Sequence, residues 1–285
     1  MGPRRPPWRS AIGAMALVWG IGACGDDDTI TGPPSFDPVP VVTHDQLKAA
    51  LVQAVDVSGD GVPDGNAGLN LNMWATVVDT AGVVVAVVYS GTGEGDQWQG
   101  SRIISAQKAN TAMNFSLDAA YFGFGGLALS TANLYTATQP GGSLFGLQEA
   151  NPINEDVAYG GNIENYGTPD DYMVGKRIGG TNVFGGGFPL YDAAGNLVGA
   201  VGVSGDTSCA DHNIGWKTRF YLGLSNVPAG VAPTGTDNII YDIDGGGVSA
   251  SGFGHPHCLN AVAESVVADD LPTSFPVGAL PEPAT

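Results

Sequence analysis

The segment that most constrains the fold is Gly185–Leu224, which reads GGGFPLYDAAGNLVGAVGVSGDTSCADHNIGWKTRFYLGL. Two apolar runs, Phe188–Tyr191 and Leu197–Val203, flank a short connection that ends at Gly195. Because glycine readily adopts the positive φ that a tight connection needs, these residues predict a β-hairpin. The second run lacks strict alternation, which indicates a strand covered on both faces. Gly199 and Gly202 remove side chains where another element must approach closely.

Two further segments complete the predicted domain. Met73–Asp79 and Val83–Tyr89 are rich in β-branched residues and predict a first hairpin. Ser101 is a candidate cap for a helix that has apolar residues at helical spacing. Two hairpins separated by a helix predict one α+β domain over residues 41–227, with an antiparallel sheet flanked by helices.

Three motifs in these segments carry a family resemblance. The second hairpin has the pattern GG-x-PL, then G-x-LVGAVGVSG, followed by Asp211 at the start of a helix. Val77–Gly82 and Ala106–Ala112 match a hairpin motif and an A-x-KA-x-TA helix in the same order. Together they resemble the GlcG/HbpS family, which includes the C-terminal domain of PduO-type proteins. The resemblance implies a PAS/profilin-like fold, a haem ligand, haem degradation in some members and a homo-oligomer.

The resemblance also indicates candidate ligand-binding residues. Lys108 lies in the helix motif and could meet a haem propionate or a substrate carboxylate. His212 is the histidine of the matching region, and neutral imidazole is a common axial ligand of haem iron, so His212 is the candidate metal ligand. Asp211 could orient it. A structural lysine and an ordinary helix start are the alternatives. His255 and His257 are further candidate ligands, for which a polar loop is favoured.

The N-terminus indicates export. Residues 1–23 combine a basic start with an apolar stretch too short to span a bilayer, as in a signal peptide. Small residues directly precede Cys24, similar to a bacterial lipobox, so we predict a lipoprotein with an acylated Cys24. The alternative is an ordinary secretory signal. Residues 24–40 are acidic and Pro-rich and predict a flexible tether. The predicted location is the bacterial cell envelope, facing the periplasm or the outside.

The charge balance excludes some partners. The chain has 10 basic and 28 acidic residues and a formal net charge of −18. Such a chain is repelled by nucleic acid and by anionic membrane surfaces. We therefore expect no nucleic-acid partner, and membrane attachment through the lipid anchor only.

Two cysteines remain if Cys24 carries lipid. In an exported chain, Cys209 and Cys258 are expected to form a disulfide, and a pair of metal or haem thiolate ligands is the alternative. Cys258 belongs to a C-terminal extension, residues 228–285. In it we predict an edge strand at Asn238–Tyr241 and a disordered Pro-rich tail from Leu271 onward.

One loop partly matches a calcium-binding pattern. Asp56, Ser58, Asp60 and Asp64 stand at positions 1, 3, 5 and 9 of an EF-hand-like loop. Position 12 is Ala67, so the bidentate acid is missing, and a polar Gly-rich connection is favoured over a calcium site.

Residues 119–181 are long, Gly-rich and weakly patterned, with a short helix predicted over Leu127–Ala137. Long irregular stretches often line binding sites.

Gly202–Asp206 resembles a nucleophile elbow but ends in Asp rather than Gly, and no triad partner is evident. The favoured function is an envelope lipoprotein that binds or senses haem or a related small ligand. The alternatives are an envelope enzyme that degrades haem or acts on a small organic acid, and a non-enzymatic oligomeric scaffold.

Overall fold

The computed structural model describes residues 42–119 and 125–278, and at its centre is a four-stranded antiparallel sheet. The strands are β1 (Trp74–Val78), β2 (Val84–Tyr89), β3 (Gly187–Tyr191) and β4 (Leu197–Ser204), in the order β2-β1-β4-β3. Both predicted hairpins are present, and β1 pairs with β4 between them, with Trp74 opposite Ser204. The predicted α+β class with an antiparallel sheet is confirmed.

Seven α-helices lie within the described ranges. They are α1 (His44–Val55), α2 (Ser101–Phe115), α3 (Tyr135–Thr138), α4 (Leu147–Ala150), α5 (Glu155–Ala158), α6 (Ser208–Tyr221) and α7 (Ala261–Ser274). None of them is long and apolar enough to cross a membrane. The predicted signal peptide, Cys24 and the tether lie outside the described residues.

Helix α1 begins at a capping box. Thr43 Oγ1 accepts from the backbone N–H of Gln46, and the Gln46 side chain accepts from the backbone N–H of Thr43. Both bonds satisfy amides that a helix start leaves free. The face that carries Leu47 and Leu51 is buried.

The sheet separates two helical layers. On one face, Ala75 and Val77 of β1 belong to the core cluster that contains residues of α1, α6 and α7. On the other face, Trp74 and Val78 pack with the alanines of α2. Because neighbouring residues of a strand point to opposite faces, a strand buried on both sides is apolar throughout. This is why β1 and β4 show no clean alternation.

Helix α2 lies unusually close to β4 at Gly202. A Cβ at Gly202 would lie 2.0 Å from the carbonyl oxygen of Ser105 and 2.5 Å from the backbone nitrogen of Ala109. No side chain fits there, which confirms the predicted close approach. Beside it, Thr76 Oγ1 is 2.7 Å from Ser105 Oγ.

The described parts of the long segment between α2 and β3 fold over α2 as single turns and short helices. The helix predicted over Leu127–Ala137 is a 3-10 turn, Thr131–Leu134, that continues into α3. Arg102 of α2 holds this segment through a buried ion pair, because its Nε donates to Asp171 Oδ2 at 2.9 Å. Arg102 also donates to the carbonyl oxygen of Ala158 at 2.8 Å.

The C-terminal extension, as far as residue 278, packs against the domain and is part of its fold. The predicted disordered tail is wrong for residues 271–278, because Leu271 is in the last part of α7 and is buried in the main core. The predicted strand Asn238–Tyr241 is also wrong, since these residues form no strand although Ile239 and Ile240 are buried. The extension is fixed to α6 by a second buried ion pair, in which Arg219 Nη1 donates to Asp237 Oδ2 at 2.6 Å.

Candidate functional site

Three consecutive glycines, Gly185–Gly187, bring α2, α6 and the sheet together. Gly186 has a φ of +119°, and a Cβ on it would lie 2.3 Å from the carbonyl oxygen of Val203 and 3.1 Å from Lys108 Nζ. A Cβ on Gly187 would lie 2.5 Å from the carbonyl oxygen of Lys108. The glycines therefore leave room for Lys108 to reach α6.

Lys108 of α2 and Asp211 of α6 form a buried ion pair. Lys108 Nζ donates to Asp211 Oδ2 at 2.6 Å and to the carbonyl oxygen of Val203 at 3.1 Å. Asp211 Oδ1 accepts from the backbone N–H of Asp206 at 2.8 Å. Burial lowers the pKa of Lys108 and raises the pKa of Asp211 to about 6, and the charge of each partner opposes the shift of the other.

This geometry does not support the prediction that Lys108 binds a propionate. The lysine is 1% exposed, and its ammonium group faces Asp211 and a backbone carbonyl. A ligand carboxylate would have to displace Asp211 inside the protein and leave that carboxylate without its partner. Lys108 is a structural residue that joins α2 to α6.

His212 lies in the core on the opposite side of the sheet from α2. It is 0% exposed, and its ring centroid lies 4.7 Å from that of Phe188. His212 Nε2 is 3.0 Å from Asn238 Oδ1. Asn238 Nδ2 donates to the carbonyl oxygen of Ala268, so its Oδ1 faces His212 Nε2. The backbone N–H of Ile239 also points at Nε2, with a nitrogen–nitrogen distance of 3.0 Å.

The prediction that His212 binds haem iron has no support in this geometry. Nε2 is covered by the extension, and Nδ1 is buried with no hydrogen-bond partner. Burial lowers the pKa of His212 to about 3, so the imidazole is neutral. Asp211, expected to orient His212, is bonded to Lys108 and Asp206 instead.

Cys209 and Cys258 are joined in the expected disulfide, with a Cα–Cα distance of 6.1 Å. The bond connects the first turn of α6 to the extension. His255 lies beside it, with Nε2 3.2 Å from Ser208 Oγ and Nδ1 2.7 Å from the carbonyl oxygen of Pro256. Among the described residues, Cys209, Cys258 and His255 are the group whose ligand atoms converge, all within 4.8 Å of one another.

His257 is the more exposed of the two extension histidines. Its ring stacks on Tyr241 with centroids 4.0 Å apart, and Nδ1 is 2.9 Å from Glu264 Oε2. The buried Glu264 carboxylate also accepts from backbone N–H groups that precede α7, including that of Cys258 at 3.0 Å. Glu264 therefore organises a polar loop, which is the interpretation that the sequence favoured for His257.

The carboxylates of the calcium-like loop are used by the loop itself. Asp56 Oδ1 accepts from the backbone N–H of Gly59 at 2.7 Å, and Asp56 Oδ2 from that of Gly61 at 2.7 Å. Asp64 Oδ1 accepts from the backbone N–H groups of Val57 and Ser58. These bonds are typical of a polar connection closed by Asx turns.

A cavity of about 590 Å³ opens beside the C-terminal half of α2. Its walls combine apolar side chains, amides and backbone, from Ala81, Asn110, Asn114, Phe115, Leu147, Ala150, Asn151, Pro152, Arg177, Gly179, Gly180 and Thr181. Arg177 is the one charged residue among them. Its Nε donates to the carbonyl oxygen of Ala81 at 2.6 Å, and the side chain is exposed.

A family model described as "Haem degrading protein HbpS-like" matches residues 65–218. The chain belongs to this HbpS-like family. Two solved structures are also similar, each with a TM-score of 0.39. One is described as a PduOC:haem complex, 20% identical, and the match covers 62% of this chain and 89% of that one. The other is the Klebsiella pneumoniae protein ORFY, 22% identical, covering 63% and 87%. No curated protein matches.

The HbpS-like span contains all four strands, α2 and most of α6, but not the extension. Every residue that lines the 590 Å³ cavity lies inside the span, whereas Asn238, which covers His212, lies outside it. The sequence analysis did not single out Arg177. Its usable signal was that only seven basic residues follow residue 23. The structure then buries four of the seven: Arg102, Lys108, Lys217 and Arg219.

Proposed function

We propose that this protein binds haem, or a related tetrapyrrole with carboxylate groups, in the cavity beside α2. The observation that carries the proposal is Arg177, a cation at the edge of a cavity whose other lining residues are uncharged. Ligand sites of this size usually combine apolar walls with a few polar groups that orient the ligand. Membership of the HbpS-like family supports haem as the ligand class.

Charge explains why Arg177 should dominate recognition of a dianionic ligand. The chain has a formal net charge of −18, so its field repels carboxylates over most of the surface. Because Arg177 uses Nε on the carbonyl oxygen of Ala81, its two Nη groups stay available to a carboxylate.

The cavity fits the macrocycle better than the iron. The apolar side chains in its wall suit a porphyrin face, but no lining residue carries an imidazole, thiol, thioether or phenol. Bound haem would supply redox-active iron, and the residues of the cavity would hold its ring and a carboxylate. We therefore expect metal-free protoporphyrin to bind within about threefold of the affinity of haem, since a threefold ratio is under 1 kcal/mol.

The test compares Arg177→Gln with Lys176→Gln. Both variants remove one positive charge, but Lys176 donates to the carbonyl oxygen of Tyr172 and does not line the cavity. Titrations with haem and with metal-free protoporphyrin should show a loss of affinity of roughly tenfold or more in Arg177→Gln, because a charge-assisted contact is worth about 1.5–3 kcal/mol. Lys176→Gln should bind as the wild type does. Equal affinities in both variants would contradict the site.

Degradation of haem is the second candidate, because the family description favours it. A haem complex of the protein, given a reductant and oxygen, would lose its Soret band and form a linear tetrapyrrole if degradation occurs. A stable Soret band under these conditions identifies a binding protein rather than an enzyme.

We also propose that Cys24 carries a lipid that attaches the protein to the cell envelope. The basis is the sequence before Cys24 and the acidic composition, which disfavours electrostatic attachment. Cys24→Ala should release the protein into the soluble fraction and abolish labelling by a fatty-acid analogue.

Native mass spectrometry of protein purified from the envelope would identify its bound ligand. The same measurement would test the homo-oligomer that the family resemblance implies.

A further inference from the structure

We propose that reduction of the Cys209–Cys258 disulfide creates a binding site for a thiophilic divalent cation, Zn²⁺, with His255 as the third ligand. The two sulfurs and the ligand nitrogen of His255 lie within 4.8 Å of one another. Two thiolates and one imidazole are a common ligand set for zinc, which leaves a fourth position for water.

His255 is already oriented as a ligand. Its Nδ1 faces the carbonyl oxygen of Pro256 at 2.7 Å, and a carbonyl can only accept, so Nδ1 carries the proton. The lone pair is therefore on Nε2, where it accepts from Ser208 Oγ at 3.2 Å. A metal-binding histidine characteristically donates its other N–H to a backbone carbonyl in this way.

The ring of His255 is also held in place. Its centroid is 5.1 Å from that of Tyr135, and its backbone N–H donates to the carbonyl oxygen of Ile240 at 2.8 Å. His255 is 1% exposed, so its side chain has little conformational entropy left to lose on metal binding.

The surroundings of the sulfurs favour thiolates. Cys209 lies in the first turn of α6, and Cys258 Sγ is 3.1 Å from the backbone nitrogen of Cys209, whose N–H points at it. Helix N-termini and N–H donors stabilise a thiolate. With Zn–S bonds of about 2.3 Å, tetrahedral geometry places the two sulfurs about 3.8 Å apart. A Cα–Cα distance of 6.1 Å permits this by side-chain rotation.

The reaction balances with a dithiol as the reductant. Two electrons and two protons from the dithiol break the S–S bond and give two thiols, while the dithiol is oxidised to a disulfide. Zn²⁺ then displaces both thiol protons into solvent, and the two thiolates neutralise its charge. Cys258 is partly exposed and provides the route by which the reductant and the cation enter.

The experiment uses the full chain without a polyhistidine tag. The protein is reduced with dithiothreitol, which is removed under anaerobic conditions, and is then titrated with Co²⁺ as a spectroscopic probe and with Zn²⁺. We expect one Co²⁺ per chain, with thiolate charge-transfer bands and the d–d bands of tetrahedral cobalt. Zn²⁺ should displace it and protect Cys209 and Cys258 from alkylation, as measured peptide by peptide so that Cys24 does not contribute.

His255→Gln should weaken Zn²⁺ binding by at least about tenfold, and His257→Gln, which removes a neighbouring imidazole outside the cluster, should not. The Cys209→Ser/Cys258→Ser double variant and the oxidised wild type measure binding to acidic surface groups and should show no cobalt–thiolate bands. Absence of these bands in the reduced wild type overturns the proposal without reference to any variant. Equal Zn²⁺ affinity in His255→Gln and His257→Gln also overturns it.

Discussion

Asn238 joins α6 to α7 through His212: its Oδ1 lies 3.0 Å from His212 Nε2, while its Nδ2 donates to the carbonyl oxygen of Ala268 at 2.8 Å. The Ala268 carbonyl is free because Pro272, four residues later, has no N–H to donate. Pro272, a residue type that usually ends a helix, thus leaves the Ala268 carbonyl available to accept from Asn238.

Asn238→Ala should lower the free energy of unfolding by about 1–3 kcal/mol. The variant removes one polar partner of the His212 ring and leaves the Ala268 carbonyl buried without its donor, and an unsatisfied buried group costs about 1–3 kcal/mol. Denaturant unfolding measures the loss. Asn151→Ala is the matched control, because Asn151 is exposed and its side chain donates to the nearby Leu147 carbonyl, so it should cost under about 0.5 kcal/mol. Similar losses in the two variants would contradict this role of Asn238.

The sheet and α2 were predictable because their signals are local. β-Branched runs such as Val84–Tyr89 and a glycine turn at Gly195 indicate strands and a hairpin without knowledge of distant residues. The contacts of the predicted site are not local. Nothing near His212 in sequence indicates that Asn238, 26 residues later, covers it. Helix α7 was missed because Leu271-Pro272 resembles the start of a Pro-rich tail, although the cap at Asn260 was a usable signal.

The Lys108–Asp211 pair should show strong coupling in a double-mutant cycle. Lys108→Met leaves a buried carboxylate unpaired and should cost about 3–5 kcal/mol, as breaking one side of a buried pair does. Asp211→Asn keeps an oxygen for the Asp206 N–H but leaves the lysine charge unpaired. The double variant buries neither charge and should lose at least about 1 kcal/mol less than the sum of the two. Additive losses in denaturant unfolding would argue against the ion pair.

Gly202→Ala should be severely destabilising although alanine is the smallest replacement. The added Cβ would lie 2.0 Å from the Ser105 carbonyl oxygen, so α2 would have to move away from β4. Overpacking of this kind costs about 1–3 kcal/mol or more. Gly100→Ala is the control, because a Cβ there meets no atom within 4 Å. A thermal unfolding midpoint for Gly202→Ala as high as that of Gly100→Ala would show that the helix is not held at this distance.

The buried imidazole of His212 should make stability depend on pH. Its pKa is lowered from 6.5 to about 3 by burial, so between these values the unfolded chain binds more protons than the folded one. Stability from this group is complete above pH 6.5 and is lost as the pH falls toward 3. His212→Gln removes the titration, so its destabilisation relative to wild type should shrink by about 2 kcal/mol between pH 7 and pH 5.

The comparison with the variant is necessary because Asp211 has the opposite effect. Burial raises the pKa of Asp211 to about 6, so its contribution to stability decreases as the pH rises from about 4 to 6. That contribution is present in both proteins and cancels in the difference. Trp216→Phe is the control, since it loses the indole bond to the Phe275 carbonyl in the same core but no titrating group. Its destabilisation should be independent of pH over this range. If the penalty of His212→Gln is equally constant, His212 is not held neutral by the fold.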